Sequence, residues 1–252
     1  MDRFSLLGLF LGIGAVIATQ LIEGGHPAAL AQGPAAIIVF LGTLGATLLS
    51  CSAHDVRHAR LELARVFRPV KADADLMPAR FRDLAFIARK NGLVALDNAE
   101  RSLLSPFMTR ALRHVIDGSE SGQLRDILEA DARSREAASQ GAAEVFEVAG
   151  GYAPTMGILG AVLGLIQAMK SLSDPSALGA GIAVAFVATI YGVGVANLVL
   201  LPLANKIRQH ARDQYQEDQI VIEGTVGLES GVSPRILERT LEAHLVGTHI
   251  ER

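Results

Sequence analysis

The sequence has no tryptophan and only one cysteine, Cys51, among its 252 residues. One cysteine excludes an intrachain disulfide and a thiolate metal cluster, so we expect Cys51 to be a small apolar residue at a helix end. Aromatic residues make up 5 % of the chain, whereas glycine occurs 25 times. Such an abundance of small side chains favours closely packed helices, as in membrane bundles. The net charge of −3 gives no basic footprint for nucleic acid.

Charge is also absent from two long stretches, residues 148–169 and 175–205, which contain 22 and 31 residues. Because about 20 apolar residues span a bilayer as a helix, each stretch predicts a membrane span. The short polar turn KSLSD joins them. We therefore predict a transmembrane hairpin over residues 148–205, with helices at about 148–169 and 175–205.

Two further uncharged runs, residues 4–22 and 34–53, lie on either side of a turn rich in glycine and proline. They predict a transmembrane hairpin over residues 1–53. The alternative is a cleaved signal peptide, because the letters ALA at residues 29–31 resemble a signal-peptidase site. The apolar run is longer than that of a signal peptide, and Asp2 offsets Arg3, so a retained span is favoured.

The positive charges predict the orientation of these spans. Residues 54–147 carry 15 of the 23 Lys and Arg residues, and residues 206–252 carry six. Since basic loops remain in the cytoplasm, both termini and both large polar segments are expected there. The prediction is thus an all-α membrane protein with four transmembrane helices. It has a large helical cytoplasmic domain at residues 54–147 and cytoplasmic C-terminal helices at residues 206–252.

The polar segments have helical patterns. We expect an amphipathic continuation of the second span as far as Pro69, and a helix that stops at Asn91-Gly92. Short helices should follow in LVALDNAERSLL and PFMTRALRHVID. A long helix should run from Gln123 into the third span, and the last helix should begin at Ser233.

No catalytic motif is present: the chain has no P-loop, no HExxH and no GxSxG, and its histidines lack metal-ligand spacing. We therefore expect neither an enzyme nor a metal site. An ion relay through a membrane needs an ionisable group, and the four predicted spans provide none. If the chain takes part in ion transport, the carboxylate must come from another polypeptide.

Several segments together resemble the MotA/PomA flagellar stator subunits of the MotA/TolQ/ExbB group. They are GGYAPTMGILGAVLGLIQAM, ATIYGVGVANLVLLPLANKI, the opening SLLGLFLGIGAVI, the span GPAAIIVFLGTLGATLL and the tail EGTVGLESGVSPRILERTLEAHL. The resemblance covers nearly the whole chain.

This resemblance implies a non-enzymatic A-type subunit in the bacterial inner membrane, without a cofactor. Such subunits form a ring, expected to be pentameric and surrounded by lipid, around the single-span B-type subunit (MotB/PomB). The B-type subunit supplies the ion-binding Asp. Ion flow then moves the ring against the rotor protein FliG and produces torque.

The resemblance also implies a rotor interface at residues 88–100. Arg89 matches the basic position of the family, and Lys90 lies beside it. The acidic position falls on Asp97, and Glu100 adds a second carboxylate, whereas Asn98 stands where some relatives have an acid. Surface charge pairs contribute about 0–1 kcal/mol each, so this contact should be reversible. The alternative for this cluster is a merely solvated helix face.

Four membrane residues match functional positions of the family. Pro154 and Pro202 match prolines that couple ion flow to movement, although a proline can also impose a fixed bend. Thr189 matches a hydroxyl of the fourth span near the carboxylate of the B-type subunit. Ala161 matches a position that is Thr in sodium-driven and Ala in proton-driven subunits, which predicts H⁺. The overall likeness to the PomA branch favours Na⁺ instead.

Two other functions remain as alternatives. An ExbB/TolQ-type energiser of outer-membrane transport would work by a similar mechanism, but that group has three spans and this sequence predicts four. A structural membrane scaffold would bind a partner and move nothing. Conductance measured together with the B-type subunit separates such a scaffold from the other two.

Overall fold

The computed structural model describes residues 3–25, 27–66, 74–98, 105–170 and 173–250. Within these ranges the regular elements are helices and none is a strand, which confirms the predicted all-α class. The α-helices are α1 (Arg3–Ile22), α2 (Gly33–Ala36), α3 (Gly42–Ser50), α4 (Ala53–Val66), α5 (Met77–Asn91), α6 (Pro106–Ile116), α7 (Ser121–Lys170), α8 (Pro175–Val195), α9 (Leu201–Glu229) and α10 (Pro234–Ile250).

Two π-helical turns connect neighbouring α-helices without a break. Ile37–Leu41 joins α2 to α3, and Ala196–Leu200 joins α8 to α9. Short 3₁₀ helices occupy Pro27–Leu30, Ala74–Leu76 and Leu93–Asn98. The chain therefore forms continuous helical runs over Gly33–Ser50 and Pro175–Glu229.

Among the described residues, three helical runs are long and apolar enough to cross a membrane: Gly33–Ser50, Ser121–Lys170 and Pro175–Glu229. They correspond to the predicted second, third and fourth spans, although the second ends at Ser50 rather than at residue 53. The predicted first span lies in α1, a helix of 20 residues whose apolar part is Leu7–Ile22. Its role as a membrane span stays a prediction.

The long helix that was predicted to enter the third span is confirmed, since α7 runs unbroken from Ser121 to Lys170. The predicted continuation of the second span is interrupted after Ser50, and the predicted stop at Pro69 lies outside the described residues. Cys51 adopts an extended conformation and ends α3. The Ser52 side chain then caps α4, because its Oγ accepts a hydrogen bond from the Asp55 backbone N–H at 3.1 Å and donates to Asp55 Oδ2 at 2.6 Å.

The predicted end of α5 is confirmed. Gly92 has a φ of 82° and ends that helix at the predicted Asn91-Gly92 stop. Leu93–Asn98 forms a 3₁₀ helix in the segment LVALDNAERSLL, where a short helix was expected. The segment LVALDNAERSLL also includes residues 99–104, which lie outside the described residues.

The chain divides into two compact units. The first comprises the described residues of Met1–Pro69 and Ala138–Gln209, and the second those of Val70–Ala137 and His210–Arg252. In the first unit, α2 and the π-helical turn that follows it pack on α8 through Ala35, Val39 and Ala188. The core of the second unit includes Phe81, Phe107, Met108, Leu128, Ile222 and Leu241. The polar segment predicted at residues 54–147 is thus shared between the two units.

Candidate functional site

The backbones of α7 and α8 touch, because glycines face each other along their contact. A Cβ atom added at Gly192 of α8 would lie 2.5 Å from the carbonyl oxygen of Ala153 on α7. One added at Gly164 would lie 2.8 Å from the backbone nitrogen of Ala185. Any side chain at these two positions would push the helices apart, so glycine is required.

Thr189 lies at this contact. A Cβ added at Gly157 of α7 would come within 3.4 Å of the Cα of Thr189. The half-buried Thr189 hydroxyl donates a hydrogen bond to the Ala185 carbonyl at 3.3 Å. Of the two arrangements open to a hydroxyl in a membrane helix, it therefore takes the bond to its own helix.

Ala161 is half-buried and stands on α7 between Gly157, which contacts Thr189, and Gly164, which contacts Ala185. The two residues that the resemblance assigned to the ion pathway therefore lie on facing helices, within about one helical turn of each other. No charged side chain of residues 148–169 or 175–205 accompanies them.

The two prolines interrupt α7 and the run from α8 to α9. Pro154 is inside α7, where its ring provides no N–H for the carbonyl four residues earlier, that of Gly150. Pro202 follows the π-helical turn Ala196–Leu200 at the second position of α9. A Cβ added at Gly150 would lie 2.8 Å from Cδ2 of Leu201, the residue before Pro202. The two interruptions of regular helical hydrogen bonding are therefore neighbours.

The residues assigned to the rotor interface lie in the second unit. Arg89 and Lys90 are exposed in the last turn of α5, and Asp97 is exposed on the following 3₁₀ helix. Leu96, which is 3 % exposed, packs this 3₁₀ helix into the core. Glu100 lies outside the described residues. The described basic and acidic residues of the cluster thus occupy two successive surface elements.

A buried ion pair in the second unit was not predicted from the sequence. Nη2 of Arg135 on α7 lies 2.9 Å from Oδ2 of Asp218 on α9, whose side chain is 3 % exposed. The Arg135 guanidinium also stacks 4.1 Å from the centre of the Phe107 ring. Burial raises the pKa of Asp218 to about 6, although Arg135 and Gln214 counteract the rise.

The sequence carried one signal for this pair. Asp218 precedes Val221, Ile222 and Thr225 at helical spacing, and these three residues are buried. An acidic residue on a buried helix face requires a partner. The identity of that partner depends on tertiary packing, which local periodicity does not reveal.

Tyr191 is a second residue whose role was missed. Its hydroxyl donates a hydrogen bond to the Leu30 carbonyl and accepts one from the Gln32 N–H at 3.4 Å. Its ring packs against Phe40 with 5.8 Å between the ring centres. These hydrogen bonds of Tyr191 hold the segment between α1 and α2 against α8. A phenol within an apolar span was the available signal, since such a hydroxyl needs a partner.

Comparison with known proteins agrees with this fold. Residues 99–220 match the profile of the MotA/TolQ/ExbB proton channel family. The chain is 32 % identical to motility protein A of Helicobacter pylori, over 96 % of this chain and 94 % of that protein. It is 30 % identical to motility protein A of Bacillus subtilis, over 97 % of this chain and 91 % of that protein. It is 28 % identical to chemotaxis protein PomA of Vibrio alginolyticus, over 97 % and 96 %.

Solved structures give the same result. The chain superposes on a chain of the C. jejuni MotAB structure with a TM-score of 0.89 and 30 % identity, covering 97 % of this chain and 96 % of that one. For the flagellar MotAB stator complex from Bacillus subtilis the TM-score is 0.85 at 30 % identity, with 95 % and 94 % covered. The fold is that of a membrane-embedded stator subunit. The chain belongs to the motility protein A family, the A-type subunits of the flagellar stator, which confirms the predicted family and function.

Proposed function

We propose that this chain forms, with a B-type subunit, an ion-conducting complex that converts ion motive force into torque on the flagellar rotor. The observation that carries the proposal is the α7–α8 hairpin. It combines direct backbone contact, a hydroxyl at Thr189 and no charged side chain in either apolar stretch. The solved relatives are named MotAB complexes, which supports a B-type partner.

In this complex the B-type subunit supplies the ion-binding carboxylate. An ion relay through the membrane needs an ionisable group, and residues 148–169 and 175–205 provide none. Thr189 and Ala161, on the two facing helices of the hairpin, line the path of the ion. The neighbouring Pro154 and Pro202 give this hairpin its capacity to change shape as the carboxylate gains and loses its ion.

The chain crosses the bacterial inner membrane four times, with α1 as the first span and both termini in the cytoplasm. The excess of Lys and Arg in residues 54–147 supports this orientation. Large apolar side chains remain exposed on the helices, among them Phe10, Leu49 and Phe186. Lipid and further copies of the chain cover them in a ring, which we propose is pentameric.

Protons are the proposed coupling ion, because Ala161 stands where sodium-driven subunits have Thr. The competing support for sodium is the likeness to PomA, at 28 % identity. An Ala161→Thr variant tests the assignment, since the added hydroxyl is expected to introduce sodium dependence. No change in sodium dependence would remove the basis for assigning protons.

The rotor contact is proposed at the charged surface of Arg89, Lys90, Asp97 and Glu100, with FliG as the partner. The exposure of Arg89, Lys90 and Asp97 supports this assignment. Surface pairs contribute about 0–1 kcal/mol each, so the contact forms and breaks at every step of the rotor. The relatives described above are motility and chemotaxis proteins, and this favours the stator over the transport energiser.

Proton flux in liposomes tests the proposal. The chain is reconstituted with its B-type subunit, and a pH-sensitive dye reports acidification after a potassium diffusion potential is imposed. We expect flux from the two subunits together and none from this chain alone. Flux that survives replacement of the intramembrane Asp of the B-type subunit by Asn would contradict the proposed division of labour. Absence of flux from the complex of the two unaltered subunits would favour a structural scaffold.

A further inference from the structure

Helix α4 separates its charges by sign. Its acidic residues, Asp55 and Glu62, lie on the side that packs against the rest of the first unit, and Glu62 is 6 % exposed. Its outer side is basic and includes the exposed residues His54, Arg57, Arg60 and Arg65. Leu61 is exposed among them. A helix with one basic face and one buried face is typical of contact with an anionic surface. The outer side of α4 is therefore suited to an anionic partner.

The inner side of α4 packs against residues of α7 and α9. Asp55 lies against Gly141 of α7: a Cβ atom added at Gly141 would be 2.9 Å from Oδ1 of Asp55. Ala59 packs in a cluster with Ala142 and Val145. Val66 packs in a cluster with Ala143 and Ile207.

The α7 residues that accompany α4 in these contacts, Gly141 to Val145, lie within about two turns of residue 148, where the apolar stretch of α7 begins. Ile207 of α9 joins them in the cluster at the far end of α4. The extended conformation of Cys51 allows the chain to change direction after α3.

The short connection to α3 places the start of α4 at the edge of the bilayer. Helix α3 ends at Ser50, and its Leu49 is 90 % exposed, as a side chain in contact with lipid tails would be. Helix α4 begins three residues later at Ala53. The headgroup layer is about 5–7 Å thick on each side of the hydrocarbon core, so the outer side of α4 lies at its level.

We propose that the outer face of α4, defined by Arg57, Arg60 and Leu61, binds the headgroups of anionic phospholipids in the cytoplasmic leaflet. The inference rests on the proposed cytoplasmic location of α4. Neither Arg57 nor Arg60 forms an ion pair with another described residue. Arg65, in contrast, pairs with Glu62, with 2.6 Å between Nη1 and Oε1. A guanidinium fork matches the geometry of a phosphate, and Leu61 reaches towards the acyl chains.

Site-specific quenching by brominated lipids tests this assignment. The chain has no tryptophan, so Leu61→Trp introduces one reporter at the centre of the outer face. The variant is reconstituted with its B-type subunit into phosphatidylcholine bilayers containing brominated phosphatidylglycerol or brominated phosphatidylcholine. The complex without the substitution gives the background from the partner. Ile236→Trp, at an exposed position of α10 in the second unit, serves as the control away from the bilayer.

We expect the Leu61→Trp reporter to be quenched, and its local association constant to favour phosphatidylglycerol. Each basic residue near an anionic surface contributes about a fivefold preference. Adding Arg57→Gln and Arg60→Gln should therefore reduce the preference by about 25-fold at low salt. The matched pair Arg113→Gln and Arg239→Gln, at exposed positions of the second unit, should leave it unchanged.

Three results would overturn the proposal. Absence of quenching by either lipid would mean that another protein surface, such as a second copy of the chain, covers this face. Equal quenching by both lipids would remove the preference for anionic headgroups. A preference that survives Arg57→Gln and Arg60→Gln would place the binding elsewhere. None of these results depends on motility, so a chain that binds anionic lipid without driving rotation would contradict the proposed function alone.

Discussion

Gly192 on α8 lies against the carbonyl oxygen of Ala153 on α7, so closely that a Cβ at position 192 would be 2.5 Å from that oxygen. The obstacle is backbone rather than the end of a flexible side chain, so the helices themselves would have to separate. This contact holds together the two helices that carry Ala161 and Thr189. The geometry of the proposed ion path therefore depends on it.

We expect Gly192→Ala to loosen the hairpin and to destabilise the complex with the B-type subunit. Overpacking of this kind costs about 1–3 kcal/mol. Thermal unfolding of the purified complex measures the effect, and Gly194→Ala is the matched control because no atom lies within 4 Å of a Cβ added there. Equal unfolding temperatures for the two variants would show that the contact at Gly192 is not restrictive.

Pro154→Leu should abolish rotation while the complex still assembles in the membrane. Leucine restores the N–H that proline lacks, so the helix would regain the bond to the Gly150 carbonyl and lose its capacity to bend. Swimming and co-purification with the B-type subunit are measured together. Gly151→Ala is the control from the same turn, since a Cβ there meets nothing within 4 Å. Loss of membrane insertion in the Pro154→Leu variant would make the proline merely structural.

Arg89→Glu should slow swimming without abolishing it, because each surface charge pair contributes about 0–1 kcal/mol. An opposite charge reversal on the rotor protein should restore part of the speed. Arg113→Glu, at another exposed position of the second unit, should have little effect and no rescuing partner. Failure of every rotor reversal to rescue Arg89→Glu would count against a direct electrostatic contact.

The buried Asp218 predicts a pH dependence of stability. Its pKa in the folded protein is about 6, above the ordinary value of 3.8. As the pH rises from about 4 to about 6, the unfolded chain loses this proton before the folded protein does. The group therefore makes folding less favourable as the pH rises through that window, by up to about 3 kcal/mol.

Unfolding temperatures of the purified complex between pH 4.5 and 7.5 measure this effect. Asp218→Asn should remove its part of the pH slope, whereas Asp126→Asn, an exposed position on α7, should keep it. The Asp218→Asn protein should also be less stable at low pH than the protonated parent, since the amide fits the Arg135 site less well. An unchanged slope after Asp218→Asn would assign the titration to another group.

The elements that the sequence predicted well are those governed by local composition. The uncharged runs at residues 148–169 and 175–205 lie in α7 and in the run from α8 to α9, because apolar length alone is enough to define a span. Residues 121–147 have good helix formers and no proline, and they form one helix with the third span. The separation of α3 from α4 was missed, although Ser52 and Asp55 have the spacing of a helix cap.

The elements that were not predicted depend on contacts between distant parts of the chain. The pairing of Arg135 with Asp218 requires α7 and α9 to meet in the second unit. The bond from Tyr191 to Leu30 requires α8 to pack beside the connection between α1 and α2. Ala161 comes within about one turn of Thr189 because of glycine contacts between α7 and α8, and the sequence of either helix alone does not reveal their register. Periodicity identifies the buried face of a helix but not the helix that covers it.

The most direct test of the stator function uses a motile strain that lacks its own stators. This chain is supplied with its neighbouring B-type subunit, and swimming speed is recorded with and without sodium at a fixed pH. We predict rotation that does not depend on sodium. Rotation only with sodium would keep the stator and overturn Ala161 as the ion selector. A stable membrane complex that produces no rotation in either medium would contradict the account.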